Sequence, residues 1–555
     1  MKREIQLLAE NTFDVLIVGS GIYGAFLARE AAMRGLSVAL IEQGDFGCAT
    51  SANSQKIVHG GLRYLQHLNL VRMRESIRAR RQLLTIAPYL VRPQRFLVPT
   101  YGYGMQGKWI MRVALLLNDI VSLDRNRGVD TGQRIPAGRI ISRRQCMAIL
   151  PCIDQDRLTG AAQWHDGFIE DTERLMIAII HTAVQQGAVA ANYVTAEDYT
   201  MDGNRVTGVH VRDRLEGETF NVRARMVINA AGPGAATLDA GLSQQPSDTP
   251  QAWVKAFNVF LKRPLFDDMA VGLSSATRHI DRDAVINRGK RFYFFVPWKG
   301  GTLVGTEYVA ASPDDDSTNL SRTELEAVID EINKLCPCAG IARKDIGFCH
   351  VGLLPANSAD PATDAASRLL KHTRVVDHEA TSSTQGLFTV TGIKYTVAPQ
   401  VVIDVIDRVL ARLDVHAARP DVEPVLYGAE KEEVETEHTY DSRLYNRYGC
   451  HYRDVLEIAN SARGLRDLVG ADRDTIVAEV IYAVREEMAV TLPDVVYRRT
   501  GLGSTGIPVR ETLKQCANIM AAELGWSKAR VSKEISSVES ARSLSENRLI
   551  DCEQP

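Results

Sequence analysis

Three glycines near the start of the chain have a spacing that suits phosphate chemistry: Gly19, Gly21 and Gly24, in the sequence GSGIYG. They fit the pattern G-x-G-x-x-G. Its first glycine makes a tight turn, its second lets the backbone approach a pyrophosphate, and its third lets a helix pack on a strand. A buried strand is predicted at residues 15–18 and an alanine-rich helix at residues 25–34. Because unpaired N–H groups at a helix N-terminus favour anions, this context predicts a bound dinucleotide.

The dinucleotide could be NAD or FAD, and two features of the chain favour FAD. Glu42 ends the second predicted strand, a position from which a carboxylate can bond ribose hydroxyls. The motif lies within about 20 residues of the N-terminus, and a second strand-glycine-helix element follows much later, at residues 391–396. A flavin needs such a second region to hold its ring system, where a helix N-terminus can stabilise negative charge.

The stretch CATSANSQKIVHGGLRYL, residues 48–65, is crowded with small hydroxyl side chains and contains a Gly-Gly pair. Its only Lys and Arg residues are Lys56 and Arg63. It has neither the period of an amphipathic helix nor the alternation of a strand. A segment of this kind is typical of backbone that follows the contour of a ligand.

The composition of the chain excludes several classes of protein. At 555 residues it is long enough for two to four structural units, with 45% hydrophobic and 24% charged residues. A formal net charge of −3 gives no overall electrostatic signature of nucleic-acid binding. The charged N-terminal sequence does not resemble a secretory signal, and no run of 18 apolar residues predicts a membrane-spanning helix. The nine cysteines include no C-x-x-C pair, so we expect reduced cysteines and no metal site.

The pattern of elements predicts an α/β fold: a Rossmann-like nucleotide-binding domain, a substrate subdomain built on a mixed antiparallel sheet, and a C-terminal α-helical domain. We expect the oxidoreductase domain at residues 1–425 and the helical domain at 426–555. Within the first, the cofactor-binding segments are about 13–65, 160–240 and 385–412. The substrate or cap segments are about 66–159 and 241–384.

The chain resembles the FAD-dependent glycerol-3-phosphate dehydrogenases, which share a flavoprotein group with glycine oxidase and D-amino-acid oxidase. The opening motif, the stretch at 48–65, INAAGPGA and GIKYT carry the resemblance. A fifth stretch, VIYAVREEMAVTLPDVVYRRTGLGSTG, resembles the C-terminal domain of these dehydrogenases. The resemblance implies oxidation of sn-glycerol 3-phosphate to dihydroxyacetone phosphate, with hydride passing to flavin N5 and electrons to quinone or another acceptor; a related branch uses oxygen.

The resemblance also implies a set of site residues. Arg63, Tyr64 and Lys394 match substrate-binding positions, Lys371 lies near a family arginine that contacts phosphate, and His59 is a candidate base or a packing residue. A guanidinium suits a phosphate dianion, and a phenol can bond a hydroxyl. The expected FAD-binding residues are Gly19, Gly21, Gly24, Glu42, Thr50, Ser51, Gly60, Gly61, Ala231, Gly232, Gly392 and Thr396.

Two positions depart from the family pattern. Leu354, in VGLLP, replaces an arginine of the substrate pocket, and Asn258, in KAFN, replaces a histidine. An asparagine cannot act as a general base at neutral pH, which leaves His59 and His350 as candidates. Three functions therefore stay open: glycerol-3-phosphate oxidation, oxidation of another polyol phosphate, hydroxy acid or amine, including as an oxidase, and a non-catalytic FAD-binding protein.

The sequence leaves location and partners open in part. KWIMRVALLLNDIV, at residues 108–121, is either a buried core helix, the plainer explanation, or an amphipathic surface that meets anionic lipid. VREEMAVTL is expected to be a solvated helix face with ion pairs. We expect a cytoplasmic protein, with a peripheral place on the cytoplasmic face of the membrane as one option. Partners would be the small-molecule substrate and an electron acceptor, with no nucleic acid; a homodimer is left open.

Overall fold

The computed structural model describes residues 1–67, 69–104, 107–242, 249–275, 291–311, 318–358, 365–430, 439–470 and 474–547. Within these ranges the strands are, in chain order, β1 Thr12–Val18, β2 Val38–Ile41, β3 Ile57–Val58, β4 Val91–Tyr101, β5 Arg139–Ser142, β6 Leu158–Ile169, β7 Val189–Ala191, β8 Val194–Asp202, β9 Arg205–Asp213, β10 Thr219–Asn229, β11 Ala252–Leu261, β12 Met269–Ser274, β13 Phe292–Trp298, β14 Gly301–Ala310, β15 Ile346–Ala356, β16 Arg374–Asp377 and β17 Leu387–Thr391.

The α-helices are, in chain order, α1 Ile5–Glu10, α2 Ile22–Met33, α3 Leu70–Ile86, α4 Lys108–Val121, α5 Arg143–Ile149, α6 Thr172–Gln185, α7 Ala235–Asp239, α8 Arg322–Leu335, α9 Ala365–Arg368, α10 His378–Ser382, α11 Ala398–Leu413, α12 Thr439–Tyr448, α13 Tyr452–Ser461, α14 Val477–Glu486, α15 Arg510–Leu524 and α16 Lys528–Asn547. Short 3₁₀ turns include Thr50–Asn53, Leu62–His67 and Gly232–Gly234. None of the described helices is both long and apolar enough to cross a bilayer.

The first sheet has eight strands, ordered β16-β17-β10-β1-β2-β7, with β9 paired to β10 and β8 to β9. Its centre is parallel, and β2 and the inner part of β1 are apolar on both faces, as expected for strands covered by helices on both sides. The register pairs Val18 with Asn229, and Asn229 with Thr389. The loops after β1, β10 and β17 therefore leave the same edge of the sheet.

The second sheet has nine strands, ordered β15-β11-β14-β13-β12-β4-β6-β3, with β5 paired to β6. Its pairings are antiparallel except for β4 with β12. Between the two sheets runs the turn Thr50–Asn53, which follows the first β-α-β unit and contacts β15. A mixed α/β architecture with a second, mostly antiparallel sheet and a helical C-terminal region confirms the predicted fold class.

Buried ion pairs join the C-terminal helices to the first sheet's domain. Asp45 accepts hydrogen bonds from Arg498 and from both terminal nitrogens of Arg499, at 2.7 and 2.8 Å. Burial alone would raise the pKa of Asp45, but the two guanidinium groups hold it well below its usual value. One carboxylate and two guanidinium groups are thus paired inside the junction, and such pairing is the condition for burying charges.

The predicted solvated face of VREEMAVTL is wrong at one position. Arg485 and Glu486 are exposed, as expected, but Glu487 is fully buried and pairs with Arg174 at 2.7 Å. Helical spacing shows which residues share a face, but it does not show that a neighbouring domain covers part of that face.

The segment at residues 108–121 forms α4, and its interpretation as a core helix is wrong. Only Leu115 and Asn118 of this helix are buried. Its exposed large apolar side chains are Trp109, Ile110, Val113, Leu116, Leu117 and Ile120.

The expectation that all cysteines are reduced is also wrong in this structure, because Cys152 and Cys338 form a disulfide with a Cα–Cα distance of 5.5 Å. Cys336 lies beside this pair. The two bonded residues are 186 positions apart, so no local spacing in the sequence predicts the disulfide.

Candidate functional site

The turn after β1 is shaped so that side chains do not fit at two of its glycines. Gly19 has φ +95°, and a Cβ there would lie 2.7 Å from the Ala230 carbonyl oxygen. A Cβ on Gly24 would lie 1.8 Å from the Gly19 carbonyl oxygen, inside the backbone itself. The glycine spacing of the sequence therefore follows from close contacts between β1, α2 and the end of β10.

The N-terminus of α2 faces the 48–65 segment. Gly21 is the N-cap residue, and it offers no side chain to satisfy the first N–H groups. The Ile22 N–H donates to the Ser51 hydroxyl at 2.9 Å. Thr50 Oγ1 donates to the Leu353 carbonyl and accepts from the Leu353 N–H, both at 3.0 Å. The turn therefore connects the helix N-terminus to β15 of the second sheet.

Glu42 lies beside the same turn. Its carboxylate accepts hydrogen bonds from the Ser20 N–H at 2.7 Å and from the Gly44 N–H at 3.0 Å. These bonds fix the acidic group at the end of β2, next to the glycine turn.

The two other loops at this edge of the first sheet also leave room for a ligand. Gly232 has φ +57°, and no heavy atom of the described residues lies within 4 Å of a Cβ built on it. Ala231 precedes it, and Gly392 packs against the ring of Tyr23. Thr391, at the end of β17, is 1% exposed. Its hydroxyl has no hydrogen-bond partner among the described residues. Thr396 is buried just before α11.

These features fit a bound FAD. A helix N-terminus whose N-cap residue is glycine suits a pyrophosphate, a buried hydroxyl lacks a partner among the described residues at the end of β17, and the Gly232 turn has open space beside it. The predicted cofactor residues after β1, β2, β10 and β17 lie along the edge where these parallel strands end, whereas the Gly60-Gly61 turn follows β3 of the second sheet.

A buried ion pair fixes the Gly60-Gly61 turn. Asp166 accepts a hydrogen bond from the Gly60 N–H at 2.7 Å and another from Arg80. Burial alone would raise the pKa of Asp166, yet Arg80 holds it below its usual value. A Cβ on Gly60 would lie 2.1 Å from a terminal nitrogen of Arg80, so this glycine makes room for the guanidinium.

His59 lies at the surface of this turn. Its Nδ1 is 3.7 Å from Asp166 Oδ2, and its side chain is 42% exposed. Its ring lies 5.7 Å from Phe294 and 6.4 Å from Phe96, measured between ring centroids.

Tyr64 and Lys394, predicted separately from opposite ends of the domain, are in contact. The Lys394 ammonium donates to the Tyr64 hydroxyl and lies 4.5 Å from the centre of its ring. Tyr64 is buried and Lys394 is half-buried. Arg63 lies in the same 3₁₀ turn as Tyr64, and its side chain is outside the described part of the chain.

Lys371 lies on a loop near the contact between Tyr64 and Lys394. Its side chain is exposed, and its carbonyl accepts a 2.6 Å hydrogen bond from Arg72. Two residues later, the Thr373 hydroxyl lies 2.9 Å from the Tyr23 hydroxyl, which donates to the Lys394 carbonyl at 3.1 Å. The loop that carries Lys371 therefore runs beside the Lys394 corner.

Asn258 has a structural task in this chain. Its amide donates to the Asn53 carbonyl at 3.1 Å and accepts from the Thr306 hydroxyl at 2.8 Å. It therefore ties the end of the Thr50–Asn53 turn to the second sheet. Leu354 lies on β15, next to the residue whose backbone bonds Thr50.

His350 is opposite Asn258 in the register of β11 and β15. It is 3% exposed, and its Nε2 has no hydrogen-bond partner among the described residues. Burial lowers the pKa of His350 to about 3, so the imidazole is neutral at physiological pH.

Sequence reasoning missed several residues that shape this region. Besides Arg80 and Asp166, the buried Lys56 ammonium donates to Thr172 at 2.6 Å and to Glu173 at 3.0 Å. The Gly-Gly pair was a signal of close approach at residues 60 and 61, but it did not identify the approaching group. Partners more than 80 positions away carry no local pattern.

Comparison with known proteins gives the class that the fold and site define. The family described as FAD dependent oxidoreductase matches residues 14–399, and the family described as C-terminal domain of alpha-glycerophosphate oxidase matches residues 421–531. The chain belongs to the FAD-dependent oxidoreductase family, and it is an enzyme with FAD as its cofactor.

The relatives span nearly the whole chain. A glycerol-3-phosphate dehydrogenase of Synechocystis is 29% identical over 553 residues, 96% of this chain and 97% of the relative. The mitochondrial glycerol-3-phosphate dehydrogenase of Rattus norvegicus is 28% identical over 96% of this chain and 74% of its own length. The crystal structure of a glycerol-3-phosphate dehydrogenase of Bacillus halodurans, complexed with FAD, shares the fold with a TM-score of 0.73, 21% identity and 98% coverage of both chains.

Proposed function

We propose that this enzyme oxidises sn-glycerol 3-phosphate to dihydroxyacetone phosphate. The contact between Tyr64 and Lys394 carries the proposal, because it places an ammonium and a phenol together where the loop after β17 meets the Gly60-Gly61 turn. The full-length similarity to glycerol-3-phosphate dehydrogenases supports the same substrate.

Each residue of the pair has a separate task in this proposal. The Lys394 ammonium is the charge that a phosphate dianion requires, and Arg63, in the adjacent turn, adds a guanidinium. The Tyr64 hydroxyl orients a substrate hydroxyl by hydrogen bonding. Bound FAD supplies the acceptor for the hydride at flavin N5. His59, close to Asp166 and open to solvent, is the group that we propose takes up the hydroxyl proton.

We further propose the cofactor-binding roles predicted from the sequence for the GSGIYG glycines, for Glu42, and for the residues at 50–51, 60–61, 231–232, 392 and 396. For the residues after β1, β2, β10 and β17, the support is that their loops lie at one edge of the first sheet. Ser51 is bonded to the N-terminus of α2. The Gly60-Gly61 turn follows β3 of the second sheet and is linked to the loop after β17 by the contact of Tyr64 with Lys394. The division into an oxidoreductase domain up to about residue 425 and a helical domain after it rests on the same arrangement of elements.

A second candidate is the oxidation of a different small alcohol or amine, and Leu354 favours it. The side chain at this position of β15 is apolar where the family has a cation, so one charge-assisted bond to an anionic substrate is missing. Such a bond contributes about 1.5–3 kcal/mol. A substrate with less negative charge would not need it.

An anaerobic reduction experiment separates these functions. The purified yellow protein is mixed without oxygen with sn-glycerol 3-phosphate, glycerol, a hydroxy acid or an amine, and the flavin absorbance band is followed. We expect sn-glycerol 3-phosphate to bleach the band fastest. Bleaching by another member of the panel alone would support the second candidate, and a band that no donor bleaches would indicate an FAD-binding protein without this activity.

We also propose that α4 docks on an anionic membrane surface, from which electrons can pass to quinone. The exposed apolar side chains on this helix include Leu116, which is 60% exposed. The Lys108 ammonium and the Arg112 guanidinium lie 5.7 and 5.9 Å from the ring centre of Trp109. An apolar face with basic residues at its margin is the arrangement that binds to the surface of anionic bilayers.

Sedimentation with vesicles tests the docking. Vesicles that contain phosphatidylserine should carry the protein down, and Leu116→Glu combined with Leu117→Glu should abolish this. Val509→Glu combined with Leu524→Glu makes the same change of two exposed apolar residues at the two ends of α15 and is the matched control. Equal sedimentation of both double variants would contradict the proposal, and a quinone analogue with wild-type protein tests the acceptor.

A further inference from the structure

A second group of reactive side chains lies at the junction between the oxidoreductase domain and the C-terminal helices. Glu430 Oε2 accepts a hydrogen bond from the Cys450 thiol at 3.0 Å and lies 4.0 Å from His451 Nε2. The three ligand-type atoms all lie within 4.8 Å of one another. One sulfur, one imidazole nitrogen and one carboxylate oxygen thus form a compact group.

We propose that Glu430, Cys450 and His451 form a binding site for a zinc-like divalent cation. Zinc prefers this mixture of donors, at about 2.3 Å for sulfur and about 2.0–2.2 Å for nitrogen and oxygen. Tetrahedral bonds of those lengths place the donor atoms about 3.3–3.6 Å apart. The distances of 3.0 and 4.0 Å in the structure bracket this range, and the third separation is at most 4.8 Å, so side-chain shifts of about an ångström complete the site.

The groups around the three donors support a metal site. His451 Nδ1 lies 2.8 Å from Asp454 Oδ2, which directs Nε2 towards Glu430. The carboxylate of Glu430 accepts a 2.8 Å hydrogen bond from the Gly428 N–H. Metal-binding histidines typically give their second nitrogen to a carboxylate, and ligating carboxylates are themselves hydrogen-bonded. Both outer contacts are present here.

The orientation of His451 is also fixed by ring stacking. Its ring lies 3.8 Å from Tyr427 with an interplanar angle of 8°, and Tyr427 stacks in turn on His181 at 3.5 Å. The Cys450 N–H donates to the Gly428 carbonyl at 2.9 Å, which holds the two loops together. A ligand set held in this way loses little conformational freedom when it binds an ion.

Access and charge also suit a cation. Cys450 is buried, whereas the Glu430 side chain is 42% exposed and gives the site an opening to solvent. Because the thiol must lose its proton on binding, the affinity should fall as the pH is lowered. Three protein donors leave a fourth position for water.

Cobalt binding tests the site directly. The full-length, FAD-bound protein is kept in a phosphine reductant, freed of metal with a chelator, and titrated with Co²⁺. Tetrahedral cobalt absorbs in the red, where oxidised flavin does not, and a thiolate ligand adds a charge-transfer band. We expect about one ion per chain with both signals, and the same stoichiometry for Zn²⁺ measured by mass spectrometry.

Four variants decide the outcome. Cys450→Ser should abolish the charge-transfer band, and Glu430→Gln, at an exposed position, should weaken binding without affecting the fold. Asp454→Asn should weaken binding about 10–100-fold while leaving the ligands in place. Cys338→Ser disrupts the other group of cysteines, Cys152, Cys336 and Cys338, and is the control.

Three results would overturn the proposal: no cobalt signal in wild type, an unchanged signal in both Cys450→Ser and Glu430→Gln, or loss of the signal in Cys338→Ser. The last result would assign the ion to the cysteine group instead. Retained FAD absorbance in each variant shows that the protein is folded, so a loss of metal is not a loss of structure.

Discussion

The two halves of the 48–65 segment are held in different ways. The first half contacts the GSGIYG turn and β15 through short polar side chains, Thr50 and Ser51, whose partners are mostly backbone groups. The second half is held by a buried ion pair, Asp166 with Arg80, and by the contact of Tyr64 with Lys394. Backbone contacts constrain residue size within a short window, whereas side-chain pairs join distant parts of the chain.

Breaking the ion pair under the second half should have the largest effect on stability. Asp166→Asn leaves Arg80 as a buried charge without its counter-ion, which costs about 3–5 kcal/mol. We expect a lower denaturation midpoint together with weaker FAD retention, measured by chemical denaturation and by the flavin-to-protein absorbance ratio. Asp268→Asn removes the partner of Arg95 in an exposed pair and should cost less than about 1 kcal/mol. Equal losses in the two variants would show that the buried pair contributes no more to the free energy of unfolding than the exposed pair.

Adding a methyl group to the GSGIYG turn, which the first half contacts, should have the next largest effect. In Gly24→Ala the new Cβ would lie 1.8 Å from a backbone oxygen that cannot move aside without opening the turn. Overpacking of this kind costs about 3 kcal/mol, the upper end of its usual range. We expect the purified variant to contain little FAD.

Gly132→Ala is the matched control for that experiment. No heavy atom of the described residues lies within 4 Å of its added Cβ, and its φ is not in the left-handed region. It should retain FAD and stability. A Gly24→Ala protein as yellow as wild type would mean that the turn in solution is looser than this geometry.

The same contrast explains how much the sequence could predict. Gly19 and Gly24 show a steric requirement at fixed spacing, so the β-α-β unit and its ligand class could be predicted from the GSGIYG pattern and the elements beside it. Asp166 and Arg80 are 86 positions apart, and Asn258 meets Asn53 across 205 positions. Neither pair produces a local pattern. The exposure of α4 could not be predicted from the sequence either, because this helix has the same apolar periodicity whether protein or solvent covers it.

Removing the cation at the proposed substrate end of the segment should affect substrate affinity more than stability. Lys394→Met deletes the ammonium beside Tyr64, and a charge-assisted bond to phosphate contributes about 1.5–3 kcal/mol. We expect KM for sn-glycerol 3-phosphate to rise about 10–100-fold with FAD retained. Lys371→Met, at an exposed position, should raise KM by less than about threefold. A larger effect at Lys371 would place the phosphate at the outer loop instead.

The smallest effect is expected at His350. A variant at this position tests whether His350, rather than His59, is the catalytic base. Its folded pKa is about 3, against an ordinary value of 6.5, so between these values the unfolded chain binds a proton that the folded protein does not. Stability therefore falls as pH drops below 6.5, by about 1 kcal/mol between pH 6.5 and 5.5. His350→Gln should remove that part of the slope, with pH 8 as the reference where packing alone differs. Because His350 is buried and the proton-accepting role is proposed for the exposed His59, kcat at neutral pH should stay within severalfold of wild type. A loss of about 100-fold or more would instead assign the base to His350, since general-base catalysis contributes at least that much.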